Sequence, residues 1–581
     1  MKIKIKKATG INAYMLLLLI MCMSNFLFMH YYFVINLLME INLYLFSFSS
    51  NFFSCIFDLS ILFIVLLVIL RGNGINALKL LFIVTWIISF VNVFYGRFFL
   101  QYIPLSAFSQ TASLTDGIVV NSIMAGFKWW DLYYFLSITV FLIVAVRMNH
   151  QKNHLSRRQL IFIISLPILT IFGVFVSYSA YHFTKSDSRY NFELFLSRIN
   201  GLIIEPETSM NSFPNVTRFQ SGLIRPFMAE LKEVFSPYEL NTEQCESIKN
   251  EYKNLIDRTT ANVCNPQIKN VIFILLESFL SSSSELEVDG KRITPFLDSL
   301  KHSDNVYYNG RVHSNITIGE SGDGQLIYMT GLLPLRSSLS VGVAKDDTLP
   351  SLPSILKNNM KIERTEIVIP SRPGMWQQEN MNRVYGIDFC YSELDTSGVI
   401  MTDKVVFDLA KKTGKSLSHP FYSMVLSLST HLPYREFIDP NFILEDDTYP
   451  YTYHIYLNIC HYLDSQIHSY FNYLKKEKMY DNSLIVIASD HPAHIGALGM
   501  ENRIDDCIPL YIINGNIDKN KVYNGDCNQI DVFTTLLDVL NIETDWHGLG
   551  KTLLNPNYTN SVSDRTWQLS EWILRGNYFK K

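Results

Sequence analysis

Apolar positions along the chain follow two different rhythms. The first 182 residues hold five long, nearly uncharged runs, at 13–36, 48–70, 78–96, 129–147 and 159–182. About 20 apolar helical residues suffice to cross a bilayer core, and only helices or closed barrels satisfy the backbone there. The pattern therefore predicts an α-helical membrane domain of five transmembrane helices over residues 1–182. A polar connector, 183–266, follows, with one helical stretch at 243–258. From 268 the rhythm becomes short β-rich runs alternating with helical ones. Candidate strands are 271–275, 366–369, 422–428, 484–488 and 509–513, and candidate helices are 294–302, 351–359, 377–385, 453–475 and 529–540. Such alternation predicts an α/β domain over 267–581, with a parallel sheet between layers of helices.

Composition agrees with this division. The chain is 48% hydrophobic and only 18% charged, against about 25% charged in a soluble domain. That richness in large apolar side chains excludes disordered, collagen-like and coiled-coil classes. Residues 1–185 carry 13 Lys and Arg against 4 Asp and Glu, and residues 186–581 carry 36 against 49. The acidic second part argues against a nucleic acid partner, because phosphate backbones attract basic faces. Ten of the 13 basic residues in the first part fall on one side of the membrane if the N-terminus is cytoplasmic: Lys2, Lys4, Lys6, Lys7, Arg71, Lys79, Arg147, Lys152, Arg157 and Arg158. Lys and Arg favour the inside. Five spans would then deliver the second domain to the periplasmic or extracellular side of the cytoplasmic membrane. Cys245 with Cys264, or Cys507 with Cys527, are candidate disulfides there, with free thiols as the alternative.

In open α/β sheets, ligands gather beyond the carboxyl ends of strands. Three predicted strands end in groups able to bind metal or move protons: Glu277 after VIFILL, Thr430-His431 after YSMVLSLS, and Asp490-His491 after LIVIAS. A fourth element is the glycine-rich segment GESGDGQ, residues 319–325, which opens a helix. Ser321 within it is a candidate nucleophile, beside backbone N–H groups suited to a phosphate. Thr317 is the alternative hydroxyl. Carboxylates plus one imidazole suit Mn²⁺, Mg²⁺ or Zn²⁺, and His431 is placed to protonate a leaving alkoxide. His461 and Asp464, three apart on the helix 453–475, read as structural, and His494 as an exposed loop residue, with a supporting place beside His491 as the alternative.

The motifs NVIFILLESF, VDGKRITPFLDSL, GESGDGQLIYMTGLLPL, PGMWQQENMNRVYGIDFCY, SLSTHLPY, VIASDH and IDVFTTLLDVLNI resemble, in this order, the alkaline phosphatase/sulfatase superfamily. Within it the chain is similar to lipoteichoic acid synthases and related membrane phosphoglycerol transferases. The resemblance implies Glu277, Ser321, Asp490 and His491 as ligands of one divalent metal, Mn²⁺ with Mg²⁺ and Zn²⁺ as alternatives. It also implies Ser321 as nucleophile, at a position that is threonine in lipoteichoic acid synthase. His431 and Trp376 match substrate-pocket residues. Gln378 stands where that synthase has an arginine, with Arg372 a nearby substitute. The implied function is transfer of phosphoglycerol from phosphatidylglycerol to an extracytoplasmic glycan or lipid through a phospho-serine intermediate. Alternatives are a phosphoethanolamine transferase, a sulfatase-like phosphodiesterase and a non-catalytic membrane sensor. A true sulfatase is disfavoured, since no C/S-x-P-x-R motif surrounds Ser321.

Overall fold

The computed structural model describes residues 2–37, 45–99, 102–105, 107, 127–148, 161–170, 172, 218–219, 221–235, 238–255, 265–336, 338–344, 347–371, 373, 377–392, 402–417, 420–432, 434, 437–445 and 448–580. They form two units, divided at residue 237.

The first unit contains α1 (Lys2–Leu37), α2 (Leu45–Ile69), α3 (Gly74–Phe99) and α4 (Leu132–Arg147). Their apolar stretches Ala13–Val34, Asn51–Ile69, Gly74–Arg97 and Trp129–Arg147 are each long enough to cross a membrane. Large side chains such as Val68, Leu136 and Ile168 remain exposed, as a lipid-facing surface requires. Polar side chains turn inward instead. Asn25 Nδ2 donates to Thr85 Oγ1 at 3.2 Å, and Ser89 Oγ donates to the Asn25 carbonyl at 2.7 Å, joining α1 to α3. The expected fifth run is represented by a ten-residue apolar helix, Ile161–Thr170. The rest of that run lies outside the described residues, so four helices of spanning length stand among them.

The expected connector is not one piece. Its helix α5 (Ile224–Phe235) packs within the first unit, and α6 (Thr242–Leu255) within the second. The start of α5 is held by Asp58 of α2, whose carboxylate accepts from the N–H groups of Leu223 at 2.6 Å and Ile224 at 3.3 Å. A carboxylate at a helix N-terminus satisfies amides that have no partner within the helix. Gly222, at φ +81°, permits the turn, because a Cβ there would lie 2.6 Å from that carboxylate.

The second unit is built on one eight-stranded sheet. In chain order its strands are β1 (Asn270–Leu276), β2 (Val306–His313), β3 (Arg364–Val368), β4 (Phe389–Tyr391), β5 (Phe421–Leu426), β6 (Ser483–Ser489), β7 (Ile508–Ile513) and β8 (Cys527–Asn528). Their spatial order is β8-β2-β7-β6-β1-β5-β3-β4. All five expected strands are present, but the sheet is not wholly parallel: β7 runs against both β6 and β2. The chain between β6 and β7 carries no helix beyond the four residues Ile495–Leu498. A parallel return needs a longer crossover, usually a full helix, so β7 pairs in the opposite sense.

β1 is buried along its whole length. Alternate residues point to opposite faces. Val271, Phe273 and Leu275 enter one core, with α7 (Ser321–Thr330) and α10 (Asp531–Val539). Ile272, Ile274 and Leu276 enter the other, with α8 (Asp403–Gly414) and α9 (Tyr451–Lys476). On α9, Asp464 accepts from the N–H groups of Phe296 at 2.9 Å and Leu297 at 2.8 Å. His461 donates from Nδ1 to the Ile293 carbonyl at 2.8 Å and stacks on Phe442. Both are structural, as expected. Asp464→Ala would strand two amides at a buried helix start. It should lower unfolding free energy by about 2–4 kcal/mol, measured by chemical denaturation, with metal content of the folded protein unchanged.

Candidate active site

Strand pairing creates the site. β1 and β6 are adjacent and parallel, with Leu276 opposite Ser489. The next residue on each strand, Glu277 and Asp490, therefore emerges side by side at one sheet edge. Neighbouring side chains knit these ends together. Ser278 N–H and His491 N–H donate to Asp490 Oδ1 at 2.9 and 2.7 Å. Ser427 Oγ accepts from Glu277 N–H at 2.8 Å, and Ser489 Oγ accepts from Phe279 N–H at 2.8 Å.

His491 has its tautomer set by the backbone. Nδ1 lies 2.9 Å from the Pro492 carbonyl, which can only accept, so Nδ1 carries the proton. Nε2 faces Ser321 Oγ at 3.3 Å and Glu277 Oε1 at 3.4 Å, and although burial works against it, the charges of Asp490, Glu320 and Glu277 hold the ring above its ordinary pKa. Ser321 Oγ in turn donates to Glu277 Oε2 at 3.1 Å. One ligand atom from each of Glu277, Asp490 and His491 lies within 4.8 Å of the others, and all three residues are buried.

Ser321 is the first residue of α7, and the chain is strained to place it there. Glu320, just before, has φ 45° and ψ −122°, a region costing a non-glycine residue on the order of 1–3 kcal/mol. Gly324 brings the first turn against β6: a Cβ on it would lie 2.5 Å from the Asp490 carbonyl oxygen. Asp323, fully buried, accepts from the N–H groups of Thr317 and Gly319, both at 2.9 Å, and so fixes the approach to the helix. Thr317, the alternative hydroxyl, is held 2.8 Å from Asp323 and 2.6 Å from the Leu335 carbonyl, apart from the ligand cluster. The expected row of unpaired amides is shorter than the glycines suggested. The N–H groups of Gly322, Asp323 and Gly324 turn back onto the Gly319 and Glu320 carbonyls at 2.9–3.0 Å.

His431 follows β5 in a turn held by Asp403, whose Oδ1 accepts from Leu428 N–H at 2.7 Å and Ser429 N–H at 3.1 Å. Its neighbour Thr430 donates from Oγ1 to the Glu277 carbonyl. His431 is near enough for its charge to act on Glu277 and on His494. Gln378, expected in the substrate pocket, is buried and donates to Asn382 Oδ1 at 2.7 Å along its own helix. Among the described residues it makes no hydrogen bond to the cluster, because a side chain at a helix start readily reaches the residue four on. Arg372 and Trp376 lie outside the described residues.

Two residues enlarge the site beyond the expected set. Glu320 Oε2 lies 3.5 Å from His491 Nδ1 and 4.0 Å from His494 Nε2. His494 is thus not an exposed loop residue. Its side chain is 17% exposed, and burial lowers its pKa to about 4. Glu320 was legible only as the neighbour of Ser321 in GESGDGQ.

The electrostatics are those of a site short of positive charge. Burial, and then the charge of Glu277, push Asp490 up to about 8. Burial works against Glu277 as well, but the hydrogen bond and charge of His491 outweigh it and hold this carboxyl below its ordinary range. Burial raises Glu320 to about 7. Three acids, Glu277, Glu320 and Asp490, converge around the imidazole of His491 at 3.4–3.8 Å. Two carboxylates, an imidazole whose Nε2 is directed inward and a hydroxyl form a donor set that fits a single divalent cation.

Residues 269–542 match the sulfatase family model. This part of the chain is a sulfatase-family domain. Over 504 residues the chain is 26% identical to lipoteichoic acid synthase 2 of Bacillus subtilis, covering 82% of this chain and 74% of that one. It is 23% identical to lipoteichoic acid synthase of Staphylococcus aureus, covering 84% and 76%. The integral membrane protein lipooligosaccharide phosphoethanolamine transferase A from Neisseria meningitidis has a similar fold, at 13% identity and a TM-score of 0.54, over 91% of this chain and 95% of that one. The chain is accordingly a membrane-anchored enzyme, a sulfatase-superfamily phosphotransferase. Members of this superfamily use a divalent metal.

The close approach at Gly324 can be tested directly. Gly324→Ala would push α7 away from Asp490 and with it Ser321. A shift near 1 Å costs on the order of a hundredfold in turnover. We expect that loss in kcat, with the circular dichroism spectrum of the wild type.

Proposed function

We propose that this chain transfers a phosphoglycerol headgroup from an anionic phospholipid, phosphatidylglycerol in this reading, to an extracytoplasmic glycan or lipid hydroxyl. The observation that carries the proposal is the position of Ser321 Oγ, at a helix start and within 3.1–3.3 Å of Glu277 and His491. The likeness to lipoteichoic acid synthases supports the donor and acceptor classes.

Glu277, Asp490, His491 and Ser321 would hold the cation, Mn²⁺ in this reading. When bound, it supplies positive charge beside the phosphoryl oxygens and favours the serine alkoxide. Ser321 Oγ attacks phosphorus as its proton passes to Glu277 Oε2, its hydrogen-bond partner. The bond from phosphorus to the diacylglycerol oxygen breaks, and His431 protonates that oxygen. Diacylglycerol leaves, and phosphoglycerol remains on Ser321. In the second half His431, now neutral, takes the proton of the acceptor hydroxyl as it attacks phosphorus. Ser321 departs and recovers its proton from Glu277. The strain at Glu320 holds Oγ in place for both displacements. Phosphoethanolamine transfer is the second reading, favoured by one observation: Gln378 supplies no cation where the resembled synthase has arginine.

Ser321→Ala should abolish turnover, a loss on the order of a millionfold where the nucleophile acts as part of a unit, and Ser321→Thr should keep partial activity. Digestion and mass analysis after incubation with phosphatidylglycerol should find phosphoglycerol on the peptide bearing Ser321. Wild-type turnover by Ser321→Ala would overturn the covalent route, and a phosphoethanolamine adduct from mixed lipids would select the second reading.

We further propose that residues 1–182 form the membrane domain, that the fifth crossing begins with Ile161–Thr170, and that the catalytic domain from 267 lies outside the cytoplasm. A reporter fused after Lys581 should be active only outside, and one fused at Lys152 only inside. Cytoplasmic activity of the first would overturn this topology.

A further inference from the structure

Away from the Ser321 cluster, the same sheet edge gathers a second set of metal-ligating side chains. His313 ends β2, Asp506 and Cys507 directly precede β7, and Asp526 precedes β8. We propose that His313, Asp506 and Cys507 form a second metal site, for a borderline-soft divalent cation of the Zn²⁺ class.

Geometry carries the assignment. One ligand atom from each of the three residues lies within 4.8 Å of the other two. Cys507 Sγ is 3.9 Å from His313 Nδ1. Tetrahedral zinc, with Zn–S about 2.3 Å and Zn–N about 2.0–2.1 Å, sets sulfur and nitrogen about 3.5 Å apart, so a few tenths of an ångström of closure completes the pair. The other face of the imidazole is oriented for this purpose. His313 Nε2 lies 3.3 Å from Asp526 Oδ1, a carboxylate that can only accept. The proton therefore belongs on Nε2, and the Nδ1 lone pair points to Cys507. A carboxylate behind a ligating histidine fixes its tautomer in many zinc sites.

The surroundings favour a cation. Asp506, Asp505 and Asp526 all act electrostatically on Cys507, against the opposing charge of Arg311. Thiolate, imidazole and carboxylate together select zinc over the harder cations suited to the Ser321 cluster. A disulfide with Cys527 is not the use of this thiol. Cys527 and Ile508 pair with the same residue, Val312, from opposite sides. Two strand spacings, roughly 9–10 Å, thus separate Cys527 from Ile508, the residue after Cys507, and both cysteines are free.

The site is tied to the active centre through the chain. Gln529, two residues after Cys527, receives Asn315 N–H at 3.1 Å on Oε1 and donates from Nε2 to the Asp490 carbonyl at 2.8 Å. Metal binding would clamp two strand ends, those of β2 and β7, beside the segment 314–320 that leads into Ser321.

Full-length protein in detergent, reduced and stripped by chelator, would be titrated with Co²⁺. We expect two bound equivalents. One should give thiolate-to-cobalt charge-transfer absorption in the near ultraviolet, which Glu277, Asp490 and His491 cannot produce because they include no sulfur. Cys507→Ser should remove that band and one equivalent. Asp490→Asn should keep the band and lose the other equivalent, so that failure of either site is read separately. Asp526→Asn should weaken the band-forming site about 10–100-fold, and Cys527→Ser should leave it intact. No charge-transfer band, or a band that survives Cys507→Ser, would overturn the proposal, whereas a single equivalent whose band is lost in Cys507→Ser would support it and count against the Ser321 cluster.

Discussion

Everything at the active centre follows from one register. With Leu276 opposite Ser489 in adjacent parallel strands, the next residue of each strand is an acid, and both acids are buried. Two carboxylates about 5 Å apart in an effective dielectric near 20 repel by about 3 kcal/mol. Desolvation adds to this. The strands could lower the cost by slipping, but a one-residue slip would turn the apolar residues of β1 toward the wrong layers. Both faces of β1 are packed, so the register is held, and the two acids are held with it.

The remaining features of the site answer that constraint. Backbone amides of Ser278 and His491 point at Asp490, and the hydroxyl of Ser278 donates to Glu277 Oε1 at 2.7 Å. These bonds stabilise negative charge without neutralising it. The backbone of Pro492 fixes which nitrogen of His491 is free. The same edge then recruits α7 through Gly324, a position where any Cβ would collide with Asp490. Glu320 absorbs the bend in a conformation that its residue type disfavours. Strain at the residue adjoining Ser321, with a glycine permitting close approach, is backbone energy spent to position one oxygen.

Much of this was legible in the sequence because the relevant signals are local. β1, β5 and β6 are continuous apolar runs, and an acid or histidine after such a run reads directly as a strand-end side chain. β2 escaped for a physical reason: Asn309, Gly310 and Arg311 interrupt its alternation, and a bulge between Asn309 and Val312 shifts its register. β4 and β8 are three and two residues long, below the length at which alternation can be recognised. The direction of β7 depends on a connection that no periodicity encodes. Pairing across the sheet likewise hid the cluster at His313, since its members stand some 190 residues apart in the chain. His494 looked like a surface residue because a short loop has no pattern that reports burial, and Glu320 drew no assignment because its backbone angle is set by its neighbours.

The distribution of charge also constrains the order of events. A phosphodiester headgroup is anionic, and the chain from 186 onward carries an excess of acids. At the centre itself Glu277, Glu320 and Asp490 converge on His491. In the proposed reaction such a cluster attracts an anionic headgroup weakly, because the charge of His491 is already engaged by the acids around it. On that reading, recognition of the donor would depend on a cation being held first. The affinity of the centre for its substrate and its affinity for metal are coupled through the same carboxylates. Linkage makes that coupling reciprocal: an anionic headgroup in place strengthens cation binding by the factor that the cation strengthens headgroup binding.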